Sequence, residues 1–171
     1  KKKAEIVINE ATKNENLTLL VKQTKNFLEN NSEKKIIDFF NCKNPKDAIA
    51  EILYVIANLY SSEENYQMSN FYLKISFLLN DKFAPNKTLL AENFFLQEKY
   101  NISEEIYQST KLIGEVYSWH SSKSIATILL KTSNKEKAIL YLKSKFNSLK
   151  NKNFEHYYEL ANFYKDNKYY E

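Results

Sequence analysis

Three side chains of this chain are suited to nucleophilic or acid–base work: Cys42, His120 and His156. A thiol beside an imidazole makes a nucleophile and its base, and imidazoles joined by carboxylates or thiolates hold zinc. The spacing supports neither arrangement. Cys42 falls in a turn-like stretch, Asn41-Cys42-Lys43-Asn44-Pro45, and neither histidine has a local set of Cys or acid partners. Carboxylate pairs occur at Glu63-Glu64 and Glu104-Glu105. Such pairs serve general acid–base chemistry when burial sets their pKa values apart, but these lie in polar, loop-like or helix-start sequence, where acids favour the helix dipole or are simply solvated. Lys143, Lys145, Lys150 and Lys152 beside Phe146 form a basic–aromatic stretch, the combination used on nucleic acids. The chain has no Arg and a net charge of only +4, so a solvated helix face accounts for it better. Tyr117-Ser118-Trp119-His120 holds the one Trp, either an interface anchor or packing at a helix junction, and packing is the simpler role. No catalytic, cofactor-binding or metal-binding residue is assigned, and a non-catalytic protein is expected.

Composition narrows the elements that position these residues. A chain of 171 residues has the length of one domain. One Gly (Gly114) and two Pro argue against an all-β fold with its many tight turns. They also exclude the Gly-rich phosphate loops of dinucleotide and P-loop proteins. A single Cys excludes a disulfide framework and fits the cytoplasm or the periplasm. No apolar run approaches 18 residues, so no membrane span is expected. Lys1-Lys2-Lys3 is not followed by an apolar run, as a signal peptide would be. The chain opens without Met and closes on Tyr169-Tyr170-Glu171 in helix-like sequence, so a segment of a longer protein is expected.

The organising feature is a repeat. Ala57, Ala91, Ala126 and Ala161 are spaced 34, 35 and 35 residues apart. Ile56, Leu90, Ile125 and Leu160 precede them. Tyr60, Phe94, Leu129 and Tyr164 follow three residues later, and Tyr66, Tyr100, Lys135 and Tyr170 nine later. Ser69, Ser103 and Ala138 follow twelve residues later, and Leu73, Tyr107 and Leu142 sixteen later. Within each unit the apolar residues recur at helical spacing on both sides of a polar break such as Ser61-Ser62-Glu63-Glu64-Asn65. Two helices per unit follow. The small residues let neighbouring helices approach, the aromatics fill the space beside them, and hairpins of this kind bury their apolar faces only by stacking.

These columns resemble the tetratricopeptide repeat, a 34-residue helix–turn–helix unit. The resemblance covers residues 48–171, as units at about 49–83, 84–113 and 115–149 and a partial one at 154–171. Residues 47–81 are also similar to an internal segment of longer bacterial proteins of that family. Leu53, Lys87, Ser122 and Tyr157 stand where the pattern has Trp, Ala replaces its small Gly, Asp81 stands at its closing Pro, and Lys145 replaces a small residue in the third unit. The resemblance implies an all-α fold, an α-α superhelix of antiparallel helix hairpins, whose first helices line a concave face where partners lie. Carried onto this chain, the positions facing inward are Glu51, Tyr54, Asn58 and Ser61, then Thr88, Glu92 and Phe95. In the third unit they are His120, Lys123, Thr127 and Lys131, and in the fourth Glu155, Tyr158 and Asn162. Only Asn58 matches the Lys/Asn/Arg carboxylate clamp of the chaperone-binding members; Tyr54 stands where a Lys is needed.

Residues 1–47 fit the repeat poorly. They read as a degenerate helical region packed on the array, with a helix over 17–28, a second over 33–40 capped by Ser32, and local disorder at Lys1–Lys3. Asp47 is the expected cap of the next helix. Charge is segmental: +3 over 1–47, −3 over 48–114 and +4 over 115–171. The function expected is a protein–protein interaction scaffold holding a peptide or protein along its concave face. Self-association through an uncovered terminal repeat is the alternative. Nucleic-acid binding and an enzyme-accessory role are less favoured.

Overall fold

The computed structural model describes residues 2–11, 18–41 and 43–169, and all its regular structure there is helical. The helices are α1 (Lys2–Ala11), α2 (Leu19–Glu29), α3 (Lys34–Phe39), α4 (Pro45–Ser62), α5 (Tyr66–Leu79), α6 (Ala84–Leu96), α7 (Tyr100–Thr110), α8 (Glu115–Thr132), α9 (Lys135–Asn147) and α10 (Phe154–Asp166). Lys2 and Lys3 open α1, whereas Lys1, Cys42, Tyr170 and Glu171 lie outside the described residues. No described helix is long and apolar enough to cross a membrane.

From α4 onward each helix packs chiefly on its sequence neighbours, with the pairs α4–α5, α6–α7 and α8–α9 the most closely joined. The repeating alanines explain the pairing. Ala57, Ala91 and Ala126 are fully buried. Each joins an apolar cluster with the large residue sixteen positions on and with residues of the following first helix. Ala57 and Leu73 meet Leu89; Ala91 and Tyr107 meet Ile125 and Ile128; Ala126 and Leu142 meet Leu160 and Phe163. Burying one such Leu side chain contributes about 1.5–3 kcal/mol, and an Ala opposite it lets the helices close to contact. Ala161 differs. It is exposed on α10, because no described helix follows to cover it as α5, α7 and α9 cover the other three.

The first-helix ends are equally regular. Glu64, Glu98 and Lys168 each adopt the left-handed conformation, at φ 59°, 59° and 50°. The next residue's N–H then reaches back five residues, Asn65 to Tyr60, Lys99 to Phe94 and Tyr169 to Tyr164, at 2.9 Å each. These are Schellman closures, and the acceptors are the aromatic column of the sequence. Asn31 closes α2 in the same way, with Ser32 N–H donating to the Phe27 carbonyl at 2.8 Å. The third hairpin turns instead through Ser133, at φ −133°.

Three local expectations are corrected. Asn44, not Asp47, caps α4 by accepting from the Lys46 N–H at 3.1 Å. Asp47 is buried in the first turn, where its carboxylate accepts from the Asn44 amide at 2.8 Å and the Asn41 N–H at 2.7 Å. Ser32 does not cap α3; its hydroxyl donates to the Asn30 carbonyl. The helix expected over 17–28 starts at Leu19, because the Thr18 hydroxyl accepts from the Val21 N–H.

Between α5 and α6 the interface is polar. The Asn86 amide donates to Ser76 Oγ at 2.7 Å, and two helical turns on the Asn93 amide donates to Ser69 Oγ at 2.7 Å and Asn70 Oδ1 at 2.8 Å. Ser61 donates to Asn93 Oδ1 at 2.6 Å. The buried Asn93 amide, bonded through both its nitrogen and its oxygen, fixes which helix faces meet, whereas Asn86 Oδ1 is buried without a hydrogen-bond partner among the described residues. In the third unit, Lys145 takes the place of the small residue by lifting its amine over the Tyr141 ring, 5.5 Å from the centroid.

Candidate functional site

The first helices of the hairpins, α4, α6, α8 and α10, present the residues that the sequence assigns to a binding face. One stretch of this surface is already occupied. α2 does not extend the row beside α4; among the hairpin helices it lies chiefly against α8 and touches α6 less, with α1 and α3 also against it. Its buried residues are Gln23, Phe27 and Leu28. Gln23 Oε1 accepts from the Val116 N–H at 3.0 Å, ninety-three residues away in sequence. This N–H is one of the orphan donors of the first turn of α8. The α8 N-cap is Gly114, which has no side chain to cap with, so Gln23 supplies the acceptor. Gly114 is extended, at φ 169°, so its conformation does not require glycine. Proximity does: a Cβ there would stand 2.3–2.5 Å from the Gln23 amide group. At the far side, Lys22 pairs with Glu155 of α10.

A cavity of about 600 Å³ lies between α2, α8, α10 and the 151–153 segment. Trp119 is buried at its edge, tilted on Phe146 with centroids 6.0 Å apart, which is the packing role the sequence suggested. The indole N–H donates to Glu159 Oε2 at 2.5 Å, and Lys123 pairs with the other oxygen of the same carboxylate. His156 stands edge-on to Trp119 at 5.5 Å. It also closes a capping box: its N–H donates to Asn153 Oδ1 at 3.0 Å, while its Nδ1 accepts from the Asn153 N–H at 3.2 Å. Burial lowers the His156 pKa, opposed by Glu159, Glu155 and Glu115. Burial lowers His120 further, to about 4, with Lys123 acting in the same direction and Glu159 against it. Both rings are therefore neutral near pH 7.

Glu155 and Glu159 flank His156 in the sequence, whereas His120 lies thirty-six residues away from it, and the fold gathers both histidines around one cavity with Glu115, Glu155 and Glu159. Among the described residues, no three His, Cys, Asp or Glu side chains form a group that could hold a metal ion. Glu155 is instead engaged by Lys22, and Glu159 by Lys123 and Trp119. Cys42 lies outside the described residues.

Of the fourteen positions assigned to the concave face, His120, Lys123 and Glu155 line the cavity. Thr127, one turn on, donates to the Lys123 carbonyl at 3.1 Å. Tyr54 is half-buried, edge-on to Phe83 at 5.5 Å. Its phenol pKa is raised by burial and then by Glu92, an exposed residue of α6. Burial raises Tyr107 to about 12, with Glu92 adding to the rise against a hydrogen bond from Ser124, and burial followed by Tyr54 raises Tyr117. Tyr54, Glu92, Tyr107 and Tyr117 thus share one neighbourhood across α4, α6, α7 and α8. Glu51 and Asn58 are exposed on α4. Thr88 is half-buried and donates to the Ala84 carbonyl, and Phe95 packs on Tyr100 at 5.6 Å. Tyr158 is exposed and stacks on Phe154, while Asn162 is half-buried. The residues on which α2 depends, Gln23 and the bare backbone at Gly114, carry no sequence motif. The lone glycine of the chain was the one available clue. The chain matches no family model, and searches of curated proteins and of solved structures give no match either.

Proposed function

We propose that this chain is a non-catalytic scaffold of the tetratricopeptide type, an α-α superhelix of stacked hairpins whose first-helix surface holds a helical segment of a partner protein. The observation that carries this reading is α2 itself. A helix from outside the regular hairpins lies on α8 and touches α6, held by a buried amide on a helix start that lacks a side-chain cap of its own and by an ion pair to α10. A surface that takes one amphipathic helix has the chemistry to take another: backbone donors at the α8 N-terminus, the Glu155 carboxylate, and aromatic rims at Trp119 and Tyr54. Glu51, Tyr54, Asn58, Thr88, Glu92 and Phe95 continue this surface on α4 and α6, and Tyr158 and Asn162 on α10.

The test uses a fluorescent peptide of residues 18–31 added to the full chain. In a Lys22→Ala/Gln23→Ala variant, where the resident α2 is weakened, the peptide binds at least ten times tighter than to the unaltered chain. Anisotropy that shows no binding to either protein defeats the reading.

A further inference from the structure

A different surface, independent of what the first-helix face binds, is left open on α4. Ile49, Ile52, Ile56 and Leu59 lie three, four and three residues apart, a seam of coiled-coil spacing, with Val55 beside it. Four of these five are large exposed aliphatics: Ile49, Ile52, Val55 and Leu59. The repeat gives each an equivalent one and two units on. Ile52 is 59% exposed, but its counterparts Asn86 and Ser121 are 2% and 0%. Leu59 is 61% exposed, but Asn93 and Ile128 are 0% and 1%. In the later units these columns are covered by the second helix of the preceding hairpin: Asn86 and Asn93 bond to α5, Ser121 meets Thr110 of α7, and Ile128 clusters with Tyr107. On α4 no described helix covers them; α2, the preceding long helix, lies chiefly against α8. The face therefore has the register of a buried helix interface and more apolar side chains than its buried equivalents.

We infer that this face pairs with α4 of a second copy of the chain, antiparallel, in a twofold dimer. The stripe is self-complementary: when Ile49 faces Leu59 of the other copy, Ile52 faces Ile56. No charge interrupts it. That register also brings the exposed Lys43 and Lys46 at the start of α4 near the exposed Glu63 and Glu64 just past the end of the other copy's α4, and the symmetry makes this contact twice. A parallel pairing would set lysines against lysines and acids against acids. Isologous twofold contacts of this kind close without growing into filaments.

Sedimentation of the full chain over a hundredfold dilution tests this. The unaltered protein is a dimer that dissociates on dilution. Ile52→Lys and Leu59→Lys, at positions already exposed in the monomer, weaken the dimer at least a hundredfold while leaving the helical circular dichroism unchanged. In a Cys42→Ser background, Ile52→Cys/Ile56→Cys forms a disulfide-linked dimer on mild oxidation, and Phe154→Cys does not. A protein that is monomeric throughout, as it would be if another helix of the same chain or a foreign partner covers the face, overturns the inference. So does a dimer indifferent to both lysines.

Discussion

The amide of Gln23 occupies the space that a side chain at Gly114 would need, and its oxygen caps α8 through the Val116 N–H. α2 and the third hairpin are thereby fitted to each other at one atom's tolerance. Gly114→Ala forces the buried amide aside and leaves the Val116 donor without its acceptor, a loss of about 1–3 kcal/mol. Hydrogen exchange over residues 18–29 should rise with the drop in melting temperature. In a Gln23→Ala background the methyl has room, so the same substitution should cost at least about 1 kcal/mol less. Equal costs in both backgrounds would show that the two residues do not interact.

The left-handed residues that end the first helices give a second expectation. Glu64 and Glu98 hold a backbone conformation that strains a Cβ by about 1–2 kcal/mol and leaves glycine unstrained. The greater freedom of glycine in the unfolded chain returns part of that. Glu64→Gly and Glu98→Gly should each stabilise the protein, by roughly 0.5–1 kcal/mol, and the two gains should add across the 34 residues between them. Chemical denaturation showing a loss for both would contradict the closure geometry.

The small-residue column separates positions that look alike in sequence. Ala91 and Ala126 are enclosed by their own second helices, whereas Ala161 is exposed. Ala91→Leu and Ala126→Leu should destabilise by about 1–3 kcal/mol through overpacking, and Ala161→Leu should change stability by less than about 0.5 kcal/mol. Thermal melts of the three variants discriminate: uniform effects would mean that burial does not follow the repeat.

The contrast shows what the sequence makes legible. Helical spacing around Ala57, Ala91 and Ala126 marks the hairpins, because apolar periodicity and small-residue contacts are local consequences of helix geometry. The aromatic column at Tyr60, Phe94 and Tyr164 marks the closures, although the residues that turn left-handed there are Glu and Lys where glycine is the usual choice. What escapes is long-range. No pattern tells that Gln23 reaches Val116, that Asn93 binds Ser61, Ser69 and Asn70 across three helices, or that Glu159 collects Trp119 and Lys123. Each of these depends on how far one helix is displaced along another, and polar residues at those positions read as ordinary surface until the packing is known. The histidines are the sharpest case: thirty-six residues apart in sequence, they share one cavity with Glu115, Glu155 and Glu159.

His120 links that cavity to pH. In the folded chain its pKa is lowered to about 4, chiefly by burial and then by Lys123, with Glu159 opposing; in the unfolded chain it returns to 6.5. Between these values the unfolded state binds the proton and the folded state does not. Stability therefore falls as pH drops from 6.5 toward 4 and stops falling on this account below 4. The full span corresponds to about 3 kcal/mol. The ring lies 6.1 Å from Tyr107, edge to face, so a phenylalanine fits the same aromatic contact without a titrating nitrogen. His120→Phe should keep the fold at neutral pH and flatten the stability profile between pH 6.5 and 4, read by urea denaturation at half-unit steps. If the slope persists unchanged in the variant, the acid sensitivity belongs to other groups and His120 is not held neutral by its surroundings.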